Sequence, residues 1–174
     1  VNTHRTGITI NQAKELAALT NMNYFYTKAI DFQGGQYGDA VLSKLPILES
    51  TRYELPVTQT LGGETRSIAM IKVEKGGRTF LFASTHLDHL GADDNRVLQA
   101  QTINSIVKNL TLPLIIAGDL NATPTAKPIT TLQQELQFAC TSACPFTFPA
   151  ITPTRTIDYM MLRPYNKFFI KDYP

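Results

Sequence analysis

The sequence predicts an α+β domain in which sheet packs on sheet with helices outside. Three observations carry that prediction. Stretches with strand character outnumber helical ones, the helical stretches separate groups of strands, and residues 78–85 are near-continuously apolar, the mark of a strand buried on both faces. With 174 residues, 43% apolar and 17% charged, the chain has the length and composition of one domain with a real core.

Taken in order, residues 11–19 read as a helix, with Leu16 and Leu19 three apart among several alanines. Residues 23–27 are aromatic and β-prone. Gly34-Gly35 breaks the chain, and residues 39–44 follow as a short apolar strand stopped by Pro46. Residues 67–74 alternate, with Ile68, Met70 and Lys72 on one face and Ala69, Ile71 and Val73 on the other. Residues 94–110 form the best helix: Val97, Ala100, Ile103, Ile106, Val107 and Leu110 fall on one stripe, with Asp93 or Asp94 as cap. Residues 113–117 are a buried strand, 127–136 a helix, and 156–162 and 168–170 strands. There is no internal repeat or linker, so residues 1–174 are expected to form a single domain.

Charge narrows the function classes. The net charge is +2, and Lys and Arg are scattered without a basic run, which disfavours a nucleic-acid groove. No apolar run is long enough to cross a bilayer. Cys140 and Cys144 lie four apart with no second Cys pair or His beside them, so a zinc site is not expected. The simplest reading is two small loop residues. A loop disulfide would accompany export, and a secreted or periplasmic location is the favoured one.

Three strand ends carry polar residues that packing alone does not require. An apolar strand, Phe80-Leu81-Phe82-Ala83, runs through Ser84-Thr85 into His86. A second, Leu114-Ile115-Ile116-Ala117, ends in Gly118-Asp119-Leu120-Asn121, where Gly118 lets the backbone turn. One intervening residue would put Asp119 and Asn121 on the same side of an extended segment. The third is Asp158, within Arg155-Thr156-Ile157-Asp158-Tyr159-Met160-Met161, where a buried carboxylate would need a cation or hydrogen-bond partner. Taken singly, each has a bland reading: a turn or cap for Asp119, a satisfied structural histidine for His86, an arginine pair for Asp158. In this order and at three strand ends they form a specific constellation.

These segments resemble the Ser-x-His, Gly-Asp-x-Asn and Ile-Asp-Tyr motifs of the endonuclease/exonuclease/phosphatase superfamily, the DNase I-like proteins. Gly38-Asp39-Ala40-Val41-Leu42-Ser43-Lys44-Leu45-Pro46-Ile47 resembles that superfamily's Gly-x-Ala-Ile-Leu-Ser-Arg-x-Pro-Ile stretch. The resemblance covers nearly the whole chain. Its flavour is that of the small bacterial phosphatase-like branch, through residues 28–35 and Thr147-Phe148-Pro149. It implies a four-layer α/β/β/α sandwich of two mainly antiparallel sheets.

By that resemblance His86 contacts the scissile phosphate, Asp119 orients or activates the attacking water and approaches a metal, and Asn121 binds a phosphate oxygen. Asp158 polarises a second His near the C-terminus. A phosphoester repels nucleophiles, so charge neutralisation and positioning are the work to be done, and Mg2+ or Mn2+ is the expected cofactor. Two landmarks of the superfamily do not occur within residues 1–174: the metal-binding Glu, expected upstream of Val1, and the final Ser-Asp-His. The domain is therefore expected to be truncated at both ends, and this chain alone to be a poor enzyme and a weak magnesium binder. Arg66 and Arg5 are further candidates for the phosphate. Asp88 and His89 follow His86 closely and have the bland reading of a loop that positions it, which is adopted for His89; Asp39 is read as a local turn residue, and Tyr37 as half-buried packing with stacking on a substrate as its alternative. The leading functional reading is a metal-dependent phosphatase or phosphodiesterase, monomeric, acting on a small-molecule or lipid-headgroup phosphate. A DNA or RNA nuclease and a catalytically inactive binding module with the same fold are the alternatives.

Overall fold

The structure is a computed structural model that describes residues 10–173. Helix α1 (Gln12–Thr20) starts at Asn11, whose side chain accepts the Lys14 N–H at 3.0 Å, and ends at Asn21 in the left-handed region, φ 51°. Its buried face is Ala13 and Ala17, while Leu16 and Leu19 point outward. Small residues let the helix lie close against the strands that follow.

Strands β1 (Asn23–Phe32) and β2 (Gly35–Ser43) form an antiparallel hairpin. Gln33 and Gly34, at φ 49° and 75°, make the two-residue turn whose twist suits paired strands. The other sheet has six strands: β3 (Glu49–Leu55), β4 (Arg66–Lys75), β5 (Arg78–His86), β6 (Leu114–Asp119), β7 (Gln137–Phe138) and β8 (Asp158–Arg163). Among the described residues their order is β3-β4-β5-β6-β8-β7, with β5–β6 the one parallel pair. That parallel step needs a crossover, which α2 (Asp94–Val107) supplies. Helix α3 (Lys127–Leu132) follows β6.

The layers follow from two cores. Val41 packs with Ala69, Ile71 and Val73 between the sheets, joined by Phe25 and Phe82. On the other face Ile68, Met70, Ala83, Leu114 and Ile116 meet Ala100, Ile103 and Val107 of α2 and Ile129 and Leu132 of α3. With α1 against the hairpin, the order is α/β/β/α, the four-layer sandwich of two mainly antiparallel sheets.

Several elements depart from expectation. Residues 49–55 pair along the sheet edge although Tyr53 and Leu55 are the sole apolar residues that mark them. Residues 168–170 are not a strand, and Phe169 is 91% exposed. Helix α3 stops at Leu132 instead of reaching 136. Asp93 does not cap α2; its carboxylate takes the Arg96 guanidinium at 2.6 Å. Asp39 is no turn residue: it lies buried in β2 and accepts the Ser67 hydroxyl at 2.6 Å. Cys140 and Cys144 are joined in a disulfide, Cα–Cα 5.3 Å, and not two independent loop thiols.

Candidate functional site

Strand register builds the centre. His86 is the last residue of β5 and pairs across to Asp119, the last of β6, which pairs across to Asp158, the first of β8. Aligned residues on adjacent strands share a face, so the three stand in a row at one end of the sheet. Gly118 belongs inside β6, and its φ is not positive. It is glycine because a Cβ there would run into the Thr85 carbonyl of the neighbouring strand.

The chain turns at Asn121, φ 47°, a left-handed conformation that asparagine tolerates. The segment is therefore not extended as its spacing suggested. The turn is closed by the Asn121 N–H donating to Asp119 Oδ1 at 2.8 Å. It swings the amide back onto His86: Asn121 Nδ2 donates to Leu87 O and lies 3.1 Å from His86 Nε2. An amide nitrogen can only donate, so Nε2 accepts and the ring proton is on Nδ1, donating to the Tyr37 hydroxyl at 2.9 Å. Burial, with the Arg66 charge adding to it, pulls the His86 pKa down to about 4. His86 is therefore neutral at pH 7, and its 3.7 Å approach to Asp119 Oδ2 is no ion pair. Burial also raises the Asp119 pKa, opposed by the Asn121 N–H and reinforced by the Asp158 charge.

Arg66 begins β4 and is 2% exposed. It pairs with Glu64 at 2.9 Å, donates to His89 Nδ1 at 3.1 Å and lies 5.6 Å over the Tyr37 ring. Its Nε and Nη1 are buried without a hydrogen-bond partner among the described residues. An unsatisfied buried guanidinium edge is costly unless something anionic meets it. Arg66, His86 and Asn121 line one cavity of about 250 Å³ with Phe32, Tyr37, Glu64 and His89. A larger opening of about 690 Å³ lies at the far end of the six-stranded sheet, around Leu110 and Arg163, away from all of these residues.

The structure thus brings His86, Asp119, Asn121 and Arg66 together and sets Asp158 beside Asp119. Asp158 is exposed at the start of its strand, not buried within it, so its carboxylate needs no compensating partner. Arg5 lies outside the described residues. Asp88 is fully buried, accepts Asn95 Nδ2 at 2.9 Å, and donates its N–H to Gln99 Oε1 at 2.8 Å, which ties the loop after His86 to α2. His89 does more than shape that loop, since it faces the cavity and receives Arg66. Tyr37 is a partner of His86 as well as packing. Glu64 was not singled out by the sequence; its one signal is lying two residues before Arg66.

The acidic donors for a metal are sparse. Asp119 and Asp158 are adjacent, but the described residues contain no group of three His, Cys, Asp or Glu side chains that could hold an ion. These residues alone do not make a metal centre, and no chemical step is assigned to one.

No curated protein matches the chain. Among solved structures, a functionally unknown conserved protein from Enterococcus faecalis is similar at 21% identity, over 87% of this chain and 69% of that one, with a TM-score of 0.72. A mannosyl-6-phosphatase from Bacteroides thetaiotaomicron is similar at 21% identity, 88% and 67% coverage and a TM-score of 0.64. TDP2 from D. rerio, complexed with single strand DNA product, is similar at 17% identity, 87% and 65% coverage and a TM-score of 0.62. The chain therefore spans about two thirds of each solved chain's length. A family model described as the Endonuclease/Exonuclease/phosphatase family matches residues 7–168. With the motif residues on adjacent strand ends and the four-layer sandwich around them, the chain belongs to the endonuclease/exonuclease/phosphatase family.

Proposed function

We propose that this centre binds a phosphoryl group and hydrolyses its ester bond, as a phosphatase or phosphodiesterase of a small-molecule or lipid-headgroup phosphate. The observation that carries the reading is the cavity that Arg66 shares with His86 and Asn121, a guanidinium charge set in the wall of a pocket beside Asp119. A planar guanidinium suits phosphoryl oxygens better than any other side chain. The mannosyl-6-phosphatase likeness supports a small phosphorylated substrate.

The residue roles follow from the geometry. Arg66 offsets the charge of non-bridging oxygens as it develops, and the Asn121 amide grips one of them by giving up its contact with His86 Nε2. Asp119, with Oδ1 held by the Asn121 N–H, leaves Oδ2 to take a proton from water as the water oxygen attacks phosphorus. Its raised pKa makes it a better base near neutral pH. The P–O bond to the leaving group breaks, and the departing oxygen takes a proton from solvent or from a group near His86. Neutral His86, its Nε2 freed by that exchange while Nδ1–H stays on Tyr37, supplies a hydrogen-bond acceptor and not a charge. Mg2+ or Mn2+ is the proposed cofactor, with Asp119 the ligand this chain would contribute. The 1–174 chain is proposed as the larger part of one monomeric domain. The Cys140–Cys144 disulfide supports a secreted or periplasmic setting.

The test is steady-state turnover of 4-nitrophenyl phosphate, bis(4-nitrophenyl) phosphate and sugar phosphates by the full-length parent protein, with magnesium and with chelator. Asp119→Ala and His86→Ala should each lower kcat/KM by about a hundredfold or more. Unchanged rates in both variants would sink the assignment.

A further inference from the structure

The two chain segments leaving the Asp119–Asp158 pair run side by side. Leu120 N donates to Ile157 O at 2.8 Å, and the Tyr159 hydroxyl bridges Ala122 O at 2.8 Å and Thr156 O at 3.0 Å. Where they end, at Thr123-Pro124 on one side and Thr154–Thr156 on the other, a groove of about 410 Å³ opens. By chain reach Thr123 is at most about 7 Å from Asn121. The groove thus opens two residues along the chain from the phosphoryl cavity, on the far side of two paired segments.

Its walls are aromatic and apolar. Phe138 forms the back, stacked on Tyr159 at 5.3 Å and 17°. Phe146 stands at the rim, 62% exposed. Ala143 and disulfide-bonded Cys144 form a side, and the Cys140–Cys144 bridge closes the stretch that carries them. Among the described lining residues the charged one is Arg155, whose guanidinium carbon lies 4.5 Å from the centroid of the Phe148 ring. None of the described lining residues is acidic. A large aromatic left exposed beside such a groove costs solvation unless a flat apolar partner covers it.

We propose that this groove is a second substrate subsite, which takes an aromatic substituent of the phosphoester while Arg66 and Asn121 hold its phosphoryl group. The inference rests on the phosphoryl reading of the Arg66 cavity and names the substrate class for it: esters bearing a flat, uncharged ring. The position of Phe146 makes it the main specificity determinant.

Direct binding tests it without turnover. Methylphosphonate and 1-naphthylmethylphosphonate share the phosphoryl mimic and differ in the ring. Titrated calorimetrically into the protein, the naphthyl compound should bind about tenfold tighter or more. Phe146→Ala should remove most of that gain and leave methylphosphonate unchanged, and Arg66→Gln should weaken both. In the unsubstituted protein, backbone amide signals of Ser142 and Thr154 should shift with the naphthyl compound and not with methylphosphonate, a readout that does not depend on any variant folding. Equal affinity of the two compounds, or a naphthyl gain that survives Phe146→Ala, overturns the subsite alone. Indifference of both compounds to Arg66→Gln overturns the phosphoryl reading and the subsite with it.

Discussion

Asp39 shows how a single residue's burial sets a pH dependence for the whole fold. Its carboxyl lies between the sheets, where burial pushes its pKa up to about 7 against the opposing pull of the Ser67 hydroxyl and the Arg66 charge. The unfolded chain releases that proton near the ordinary value of 3.8, so from about pH 4 to 7 the unfolded state is the one that ionises. The stability associated with this proton is therefore full below pH 4 and lost as pH rises to 7. Asp39→Asn, which keeps an acceptor for Ser67, should leave the melting temperature nearly unchanged at pH 4 and raise it at pH 8. The gain should be roughly 2–4 kcal/mol. His86 runs the other way: its lowered pKa adds stability as pH rises from about 4 to 6.5, and it cancels when variant and parent are compared at each pH. Melts at both pH values check this, and a gain that is the same at pH 4 and pH 8 would show that Asp39 is ionised throughout. Tyr37 acts on His86 itself, as the acceptor of its Nδ1 proton. Tyr37→Phe should release the ring, lower kcat by about tenfold and move KM little, because the Arg66 grip is untouched. A 15N spectrum of the parent should show the Nδ1-protonated neutral ring above pH 5, and an imidazolium signal there would refute the assigned tautomer.

At the level of strands, the site depends on how closely β5 and β6 approach. A Cβ on Gly118 would meet the Thr85 carbonyl of the parallel neighbour, and backbone cannot move aside as a side-chain tip can. Gly118→Ala should cost about 3 kcal/mol and pull Asp119 out of line with His86. Gly76→Ala makes the contrast: it has open space but φ +60°, so it should cost only about 1–2 kcal/mol, and with no effect on ligand binding. Chemical denaturation of the two variants, with phosphonate binding alongside, separates a packing defect from a backbone one. The same register explains what was readable in the sequence. His86 and Asp119 were legible because each ends an apolar strand with a residue packing does not call for. Their alignment was not, because it comes from parallel pairing across an intervening helix. Arg66 was visible as a charge; its burial was not, since that comes from the β1–β2 hairpin lying over β4. Strand β3, Glu-Ser-Thr-Arg-Tyr-Glu-Leu, was missed because an edge strand with a wet face carries a polar sequence. Residues 168–170 misled in the opposite sense, being β-prone but without a strand partner among the described residues. Leu16 and Leu19 were the obvious apolar pair of α1, yet the close approach of helix to sheet admits only Ala13 and Ala17.

Over the whole molecule, the question is which phosphoester the charge distribution welcomes. The net charge is only +2. Four of the cations outside the site are engaged by carboxylates: Lys28 with Asp31, Arg52 with Glu54, Lys72 with Glu49, and Arg163 with Glu135. The cation at the centre of the site, Arg66, is buried and shared with Glu64, so it can meet one phosphoryl group and cannot track a polymer backbone. A nucleic-acid enzyme neutralises many phosphates at once, and its affinity falls steeply with salt in proportion to their number. Here the count should be near one. A single-stranded oligonucleotide should therefore bind no more tightly than a monophosphate ester of the same ring chemistry. Its log affinity should fall against log salt with a slope of about −0.7 to −1, the value for one phosphate contact. Fluorescence anisotropy of a labelled decanucleotide across a salt series measures this directly. A slope of about −3 or steeper would mean that loops of this chain supply several phosphate contacts, and the nuclease reading would then replace the small-molecule one.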